Sequence, residues 1–196
     1  MTPFSSLKNI HNKGLFGDHE GKDESDLIKI NENKNLLIFQ IVQYKNSNKS
    51  LENIKIDNLN LKNQSLKVNS NNNTRILWNG PKNWLLVSTN KNLLKEEVEK
   101  KFNALDFAFT NLSHSRAIIE LEGSNTKEVL KKGCPFNFNE LKKNNCLNSV
   151  FNGMSVTIDI IEDNPNKVRI FTLRSFGESL YHSITDACLE FGYKNI

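Results

Sequence analysis

The stretch MSVTIDII at residues 154–161, followed by DNPN at 163–166 and KVRIFTL at 167–173, decides the fold class of this chain. Both longer runs alternate between apolar and polar side chains, which is the period of a β-strand with one buried face. The Asn and Pro residues between them favour a turn, so the two runs are predicted to form a hairpin. Antiparallel sheet is therefore the expected framework of the chain.

A helix is predicted to follow this hairpin, because apolar residues then recur at steps of three and four residues and give a helix one apolar face. The helix should begin at about Glu178, and Gly192 is a suitable residue to end it. Its buried face is predicted to consist of Leu180, Ile184, Ala187, Cys188 and Phe191.

The same two patterns alternate earlier in the chain. Strands are predicted at residues 36–44, 54–56, 75–78, 84–88, 107–112 and 116–122. Asn90 or Asn92 can begin a helix between the fourth and fifth of these strands. Its apolar stripe would be Leu94, Val98, Phe102 and Leu105. A short helix is predicted from Asn125, and Gly133 can end it.

This order of strand pairs and single helices predicts an α+β fold, in which antiparallel sheets carry the helices on one face, as in a plait. Two closely packed halves are expected, at residues 25–110 and 111–196. They follow an N-terminal arm at residues 1–24 that has few periodic apolar positions. A doubly wound nucleotide-binding fold is disfavoured, because no Gly-x-Gly-x-x-Gly motif follows a predicted strand.

The composition narrows the classes of partner. The net charge is +4, but the 26 Lys and Arg are scattered among 22 Asp and Glu, so no basic patch favours nucleic acid. No apolar run approaches the roughly 20 residues of a membrane span. The 3 Cys are too few and too far apart for a zinc site or a disulfide framework, and they suit a reducing cytosol. A cytoplasmic protein without nucleic-acid or membrane partners is expected.

Two arginines stand at the ends of predicted strands. Arg116 follows His114 at the mouth of one strand, and this pair could bind a carboxylate, a phosphate or an acidic side chain of a partner. Alternatively, His114 caps a turn and Arg116 faces solvent. Arg174 and Phe176 lie between the last strand and the last helix, where Arg174 could bind an anion or hold the corner through an ion pair.

Trp84 follows the Gly80-Pro81 turn and could stack on a ligand, anchor an interface or pack in the core. Core packing is favoured for Trp84, and more strongly for Trp78. No nucleophile elbow, catalytic triad or pair of acid–base carboxylates is evident. A metal site is disfavoured at the N-terminal residues His11, Asp18, His19 and Glu20, which lack ligand spacing on a defined element.

The chain is therefore predicted to hold no catalytic, cofactor-binding or metal-binding residues. Its interface candidates are His114, Arg116, Trp84, Arg174 and Phe176.

Five segments together resemble the gamma subunit family of heterotetrameric sarcosine oxidase. They are GPKNWLL at 80–86, LSHSRAIIELEG at 112–123, EVLKKGCP at 128–135, FNG at 151–153 and RSFGESL at 174–180. The resemblance implies a fold similar to the folate-binding region of glycine-cleavage aminomethyltransferases, but it does not give this chain a folate site.

The resemblance further implies an accessory subunit of a complex that oxidatively demethylates sarcosine to glycine with flavin, oxygen and tetrahydrofolate. Alpha, beta and delta subunits would be its partners and would carry FAD, FMN, NAD, zinc and tetrahydrofolate, whereas the isolated chain would be non-catalytic. The alternative is a stand-alone folate-binding one-carbon transferase that uses His114, Arg116 and Arg174. A regulatory or RNA-binding plait module is a weaker alternative.

Overall fold

The computed structural model describes residues 5–52, 54–90 and 102–196 and consists mainly of β-sheet. In this part of the chain the strands are β1 (Gly14–Phe16), β2 (Ile28–Glu32), β3 (Leu37–Gln43), β4 (Lys55–Ile56), β5 (Leu59–Asn60), β6 (Val68–Ser70), β7 (Thr74–Gly80), β8 (Asn83–Ser88), β9 (Phe107–Asn111), β10 (Arg116–Glu122), β11 (Cys146–Phe151), β12 (Met154–Asp163), β13 (Asn166–Leu173) and β14 (Tyr193–Asn195). The helices are α1 (Thr126–Gly133) and α2 (Gly177–Cys188), and short 3-10 turns lie at Phe138–Glu140 and Arg174–Phe176.

The chain divides into two compact units, and neither is a single continuous segment. The seven-stranded unit contains the chain up to Lys34, Ser115–Lys143 and Leu147–Ile196, and the five-stranded unit contains Asn35–His114 and Asn144–Cys146. Strand β2 lies in the expected first half of the chain, but it pairs with β10 in the seven-stranded unit. This pairing joins residues far apart in the sequence, which local patterns do not encode.

The sheet of the seven-stranded unit has the strand order β1-β14-β2-β10-β13-β12-β11. The predicted hairpin is confirmed: β12 and β13 pair antiparallel, with Thr157 opposite Phe171 and Asp163 opposite Asn166 at the turn. Antiparallel pairing also joins β13 to β10 and β10 to β2. One pair departs from the antiparallel expectation, because β14 runs parallel to β2.

Both predicted helices of this unit are present. Helix α2 buries Leu180, Ile184, Ala187 and Cys188 as predicted, whereas Phe191 lies beyond its end and is only half-buried. Helix α1 packs against α2 and β13. The side chain of Asn125 makes no capping hydrogen bond to α1. Gly133, the last residue of α1, leaves room for the ring of Phe151, because a Cβ atom there would lie 2.8 Å from that ring.

The N-terminal segment is part of the sheet rather than an arm without a core. Leu7 is buried, and β1 pairs antiparallel with β14. Near Gly17, the backbone N–H of Asp18 donates to the carbonyl of Leu189 at 2.8 Å, at the end of α2. The segment has few apolar residues of its own, so its order comes from backbone pairing with the last residues of the chain.

Gly192 lies between α2 and β14 and packs against Asp18 of the N-terminal segment, and we expect Gly192→Ala to destabilise the protein. Its backbone has a φ of +71°, and a Cβ atom there would lie 2.4 Å from the carbonyl oxygen of Asp18. The left-handed conformation alone costs a non-glycine residue about 1–2 kcal/mol, and the contact with Asp18 adds to that cost. Urea unfolding would measure the loss. Gly153→Ala is the control, because its φ of +82° imposes similar strain but no atom lies within 4 Å of a Cβ there. Equal losses in the two variants would contradict the role of the contact.

Glu32 fixes the first described residues to the sheet. The Ser5 hydroxyl donates to its carboxylate, and the N–H and Oγ of Ser6 donate to Oε1 at 2.9 and 3.0 Å. Burial acts to raise the pKa of Glu32, but the hydrogen bonds from Ser5 and Ser6 and the charge of Lys34 outweigh it. The pKa of Glu32 is therefore below its usual value of 4.5.

The stability contributed by Glu32 should depend on pH. Because the folded-state pKa is the lower one, this contribution is fully present above the unfolded-state pKa and is lost as the pH falls through the folded-state pKa. The difference in unfolding free energy between the wild type and Glu32→Gln is therefore expected to narrow below about pH 4.5. Chemical denaturation between pH 7 and pH 3 would measure it. Glu24→Gln removes an exposed ion pair with Lys194, and its effect should narrow in the same direction but be smaller, because exposed pairs contribute little. A difference that stays constant with pH would contradict this role.

The five-stranded unit has the strand order β6-β7-β8-β3-β9, with a small β4–β5 hairpin beside it. The strands predicted for this region are confirmed to within two residues at each end. Their apolar side chains form one core, which includes Phe39, Ile41, Ile54, Ile56, Leu59, Leu61, Ile76, Trp84, Leu86, Phe102 and Phe107.

The helix predicted from Asn90 or Asn92 lies largely outside the described residues, which resume at residue 102. Two members of its apolar stripe lie within the described residues. Phe102 is buried, but Leu105 is 84% exposed and lies in a turn, so the prediction of a buried face through Leu105 is wrong. The backbone N–H groups of Asp106 and Phe107 bond to the carbonyl of Asn103 instead, and this turn leads directly into β9.

Candidate interaction surface

The pairing of β10 with β13 brings two of the interface candidates to one corner of the seven-stranded unit. Arg116, the first residue of β10, lies opposite Leu173, the last residue of β13. The backbone N–H of Arg174 donates to the carbonyl of Ser115 at 2.9 Å. Directly opposite residues of an antiparallel pair project to the same face, so Arg116 and Leu173 are neighbours on one face of the sheet.

Phe176 lies in the same corner, in the 3-10 turn that links β13 to α2. Its side chain is 41% exposed and that of Leu173 is 44% exposed. The turn is held close to the sheet at Gly177, where a Cβ atom would lie 2.9 Å from the Cβ of Ala117. Phe176 is therefore placed at the end of β10 by tight packing, although the ring itself remains open to solvent.

Arg116 is half-buried, and its pKa is lowered because burial disfavours the charged form. Its Nη1 contacts the carbonyl and hydroxyl oxygens of Ser115 at 3.4 and 3.3 Å. Within residues 5–52, 54–90 and 102–196 no carboxylate forms an ion pair with Arg116. A partly desolvated guanidinium in this state is suited to receive a carboxylate from another molecule.

Arg169 lies on the same face of the sheet as Arg116 but, unlike Arg116, forms an ion pair. Its Nε and Nη2 each lie 2.7 Å from Oε1 of Glu120 on β10, and the two side chains are only 12% and 11% exposed. On its other side Arg169 faces Asp159 of β12, which is fully buried. None of the predicted interface candidates lies in this row of three charged residues. The sequence feature that could have indicated it is a charged residue at the centre of each of three largely apolar strands.

The other candidates lie elsewhere. His114 is exposed in the turn before β10, where it could cap the turn or meet a partner. Trp84 is fully buried in the core of the five-stranded unit, and its Nε1–H donates to the carbonyl of Lys62 at 2.8 Å. The core alternative for Trp84 is therefore confirmed, and its ring offers no face to a partner. Trp78, for which the core was more strongly favoured, is only half-buried.

The described residues hold no metal-binding cluster, and their thiols are buried. No group of three His, Cys, Asp or Glu residues among them could hold a metal ion. The three cysteines are buried and form no disulfide, and burial raises the pKa of Cys134 and of Cys188 to about 12. These two thiols stay protonated at neutral pH and are poor nucleophiles. Among the described helices, none has the length and apolar character to cross a membrane.

The fold resembles two kinds of solved structure. A chain of the heterotetrameric sarcosine oxidase from Corynebacterium sp. U-96, in complex with pyrrole 2-carboxylate, is 18% identical with a TM-score of 0.77, and the alignment covers 97% of each chain. The glycine cleavage system aminomethyltransferase T from Bartonella henselae is 14% identical with a TM-score of 0.60, over 82% of this chain and 46% of that one. At these identities the likeness concerns the fold, and it confirms the predicted α+β class.

Sequence comparisons identify the family of this chain. None of the curated proteins compared with this chain matches it. The model of the family described as Sarcosine oxidase, gamma subunit family matches residues 55–190. This match covers more than half of the chain and includes the corner that Arg116, Leu173 and Phe176 share, and the chain therefore belongs to the sarcosine oxidase gamma subunit family.

Proposed function

We propose that this chain is the accessory gamma subunit of a heterotetrameric sarcosine oxidase and that it supports assembly of the complex without carrying a cofactor. The family match over residues 55–190 carries this proposal. The likeness in fold to a chain of a heterotetrameric sarcosine oxidase, over nearly the full length of both chains, supports it.

The chemistry of the described side chains favours assembly over catalysis. The buried thiols of Cys134 and Cys188 are protonated at neutral pH, which makes them unsuitable as nucleophiles. The surface corner at Arg116 instead combines an arginine without an ion-pair partner in the described residues with two exposed apolar side chains. Arginine and aromatic side chains of this kind are enriched where proteins bind each other.

In this proposal the alpha, beta and delta subunits are the partners, and they carry FAD, FMN, NAD, zinc and tetrahydrofolate. The complex oxidatively demethylates sarcosine to glycine, with oxygen as the electron acceptor. The chain would work in the cytoplasm, in keeping with its free cysteines.

Co-purification tests the assignment. The chain, with an affinity tag, would be expressed together with the three other subunits and isolated through the tag. We expect a four-subunit complex that has flavin absorbance and forms peroxide from sarcosine, whereas the chain alone has neither property. A chain that remains monomeric in the presence of the three other subunits would contradict the proposal.

The alternative of a stand-alone folate-binding transferase has support from the fold likeness to aminomethyltransferase T. The match covers less than half of that protein. Titration calorimetry of the isolated chain with tetrahydrofolate separates the two functions. An accessory subunit should give no heat of specific binding, whereas a saturable heat that His114→Ala or Arg116→Ala abolishes would favour the transferase.

A further inference from the structure

We propose that Arg116, Leu173 and Phe176, together called the corner surface, dock a segment of a partner subunit in which a carboxylate is flanked by apolar side chains. The inference rests on the proposed function, because it takes the occupant to be another subunit of the oxidase complex. It adds the place of contact on this chain and the chemistry of the segment that binds there.

The charge of Arg116 defines the polar part of the occupant. Burial lowers the pKa of Arg116, so its charged form is partly desolvated, while its side chain makes two long hydrogen bonds to Ser115 among the described residues. A carboxylate from a partner would offset this desolvation with a charge-assisted, bidentate contact. A lysine or arginine in the same position would be repelled, so the guanidinium selects an acidic group.

Two carboxylates of neighbouring strands are already engaged by other side chains. Glu120 lies on the same face of β10 as Arg116, but it binds Arg169 at 2.7 Å and also accepts from Asn33. Glu32 lies opposite Ile119, whose side chain points to the other face of the sheet, and it is held by Ser5 and Ser6. Neither of these carboxylates is available to Arg116, and none within the described ranges forms an ion pair with it, so a partner can supply the acidic group that the corner surface accepts.

Leu173 and Phe176 define the apolar part of the occupant. Arg174 and Ser115 form a hydrogen-bonded pair of the two strands. Such pairs alternate with pairs that have no hydrogen bond between them, so Arg116 and Leu173 are a pair of the second kind, in which the side chains approach most closely. The following pair on this face, Ile118 and Phe171, is buried. The exposed apolar groups thus extend a buried apolar row to the surface, where a partner can cover them.

The corner surface needs little ordering before it binds. Strand pairing fixes Arg116 and Leu173, and the packing of Gly177 against Ala117 and Ser6 fixes the turn that carries Phe176. Binding to a preformed surface avoids the entropy cost of ordering a loop. A small set of fixed side chains with one aromatic and one arginine has the composition of a binding hot spot.

The test measures the dissociation constant between this chain and the complex of the other three subunits, at low and at high salt. We expect Arg116→Gln to weaken binding about tenfold at low salt and to reduce the salt dependence of binding, with Arg116→Lys recovering part of the loss. Leu173→Ser and Phe176→Ser should each weaken binding about tenfold without changing the salt dependence. Thermal unfolding of each variant checks that the fold is retained, which the exposure of these side chains favours.

Matched controls lie in the same unit. Leu189→Ser removes an apolar side chain that is 45% exposed at the end of α2, and Lys8→Gln removes an exposed positive charge near the N-terminus. Both controls should bind as the wild type does. Equal weakening in the controls and in the corner-surface variants would overturn the inference.

Each remaining outcome is decisive as well. If the wild type and all variants bind equally, the corner surface is not the docking site, while the proposed function stands. If the wild type does not bind the other subunits, both proposals fail. If the isolated chain forms dimers that Phe176→Ser abolishes, a second copy of the chain is the occupant and the inference of a partner subunit is overturned.

Discussion

Arg169→Ala is expected to lower the free energy of unfolding by about 3–5 kcal/mol, because it leaves a buried carboxylate without its compensating charge. Arg169 lies between Glu120 and Asp159 on three neighbouring strands of the sheet. Its two contacts to Glu120 are 2.7 Å long, and the side chains are almost fully buried. Equilibrium urea unfolding, monitored by circular dichroism, would measure the change.

The control is Lys167→Ala, two residues earlier on the same strand and face. Lys167 forms an ion pair of 2.8 Å with Glu122, but those side chains are 35% and 30% exposed. Exposed pairs contribute about 0–1 kcal/mol, so its loss should be small. In the double variant Glu120→Leu with Arg169→Met, no unpaired charge from this pair remains, and the loss should be smaller than that of Arg169→Ala. A double variant less stable than Arg169→Ala would contradict this account.

Trp84→Ala is expected to cost about 3–5 kcal/mol of unfolding free energy, as is usual when a large buried aromatic side chain is removed. Trp84 is fully buried and donates a hydrogen bond of 2.8 Å to the carbonyl of Lys62. The substitution would leave a cavity and an unpaired carbonyl together. The same urea titration would measure the loss, and an unchanged m-value would show that the unfolded state is unaffected.

Trp78→Ala is the matched control for Trp84, because the two residues lie opposite each other on β7 and β8. Trp78 is only half-buried, and its indole N–H makes a longer bond of 3.3 Å to Asn63. Its loss should therefore cost clearly less stability. A Trp84→Ala protein that unfolds like the wild type but no longer joins the other subunits would instead place this residue in an interface.

Elements with strong local periodicity can be predicted from the sequence. The alternation in residues 154–173 is sufficient for β12, its turn and β13, and the apolar stripe through Leu180 and Ile184 is sufficient for α2. By contrast, β1 and β14 are three residues long, which is too short for a periodic signal. They are ordered by pairing with each other and with β2, and such long-range pairing is not encoded in any local window.

The candidate site was predictable only in part. The sequence motifs indicate Arg116, Arg174 and Phe176, and strand pairing explains why Arg116 and Phe176 share a corner with Leu173. Leu173 could not be predicted as a surface residue, because a leucine at the end of a strand is usually expected in the core. The roles of Trp84 and Trp78 could not be separated, since aromatic residues of strands suit cores and interfaces equally. Charge alternation in a strand, as at Glu120, is typical of a solvated face, so its burial was not apparent.

The position of β14 between β1 and β2 has a consequence for folding during synthesis. Almost all of the five-stranded unit lies within residues 35–114, so most of its strands can pair while the rest of the chain is still being made. In the seven-stranded sheet, β2 can pair with β10, but β1 must wait for Tyr193–Asn195, because β14 is its neighbour in the sheet. Strand β1 therefore leaves the ribosome early and remains without its neighbour until β14 arrives, which is the period in which a chaperone or a partner would best protect it.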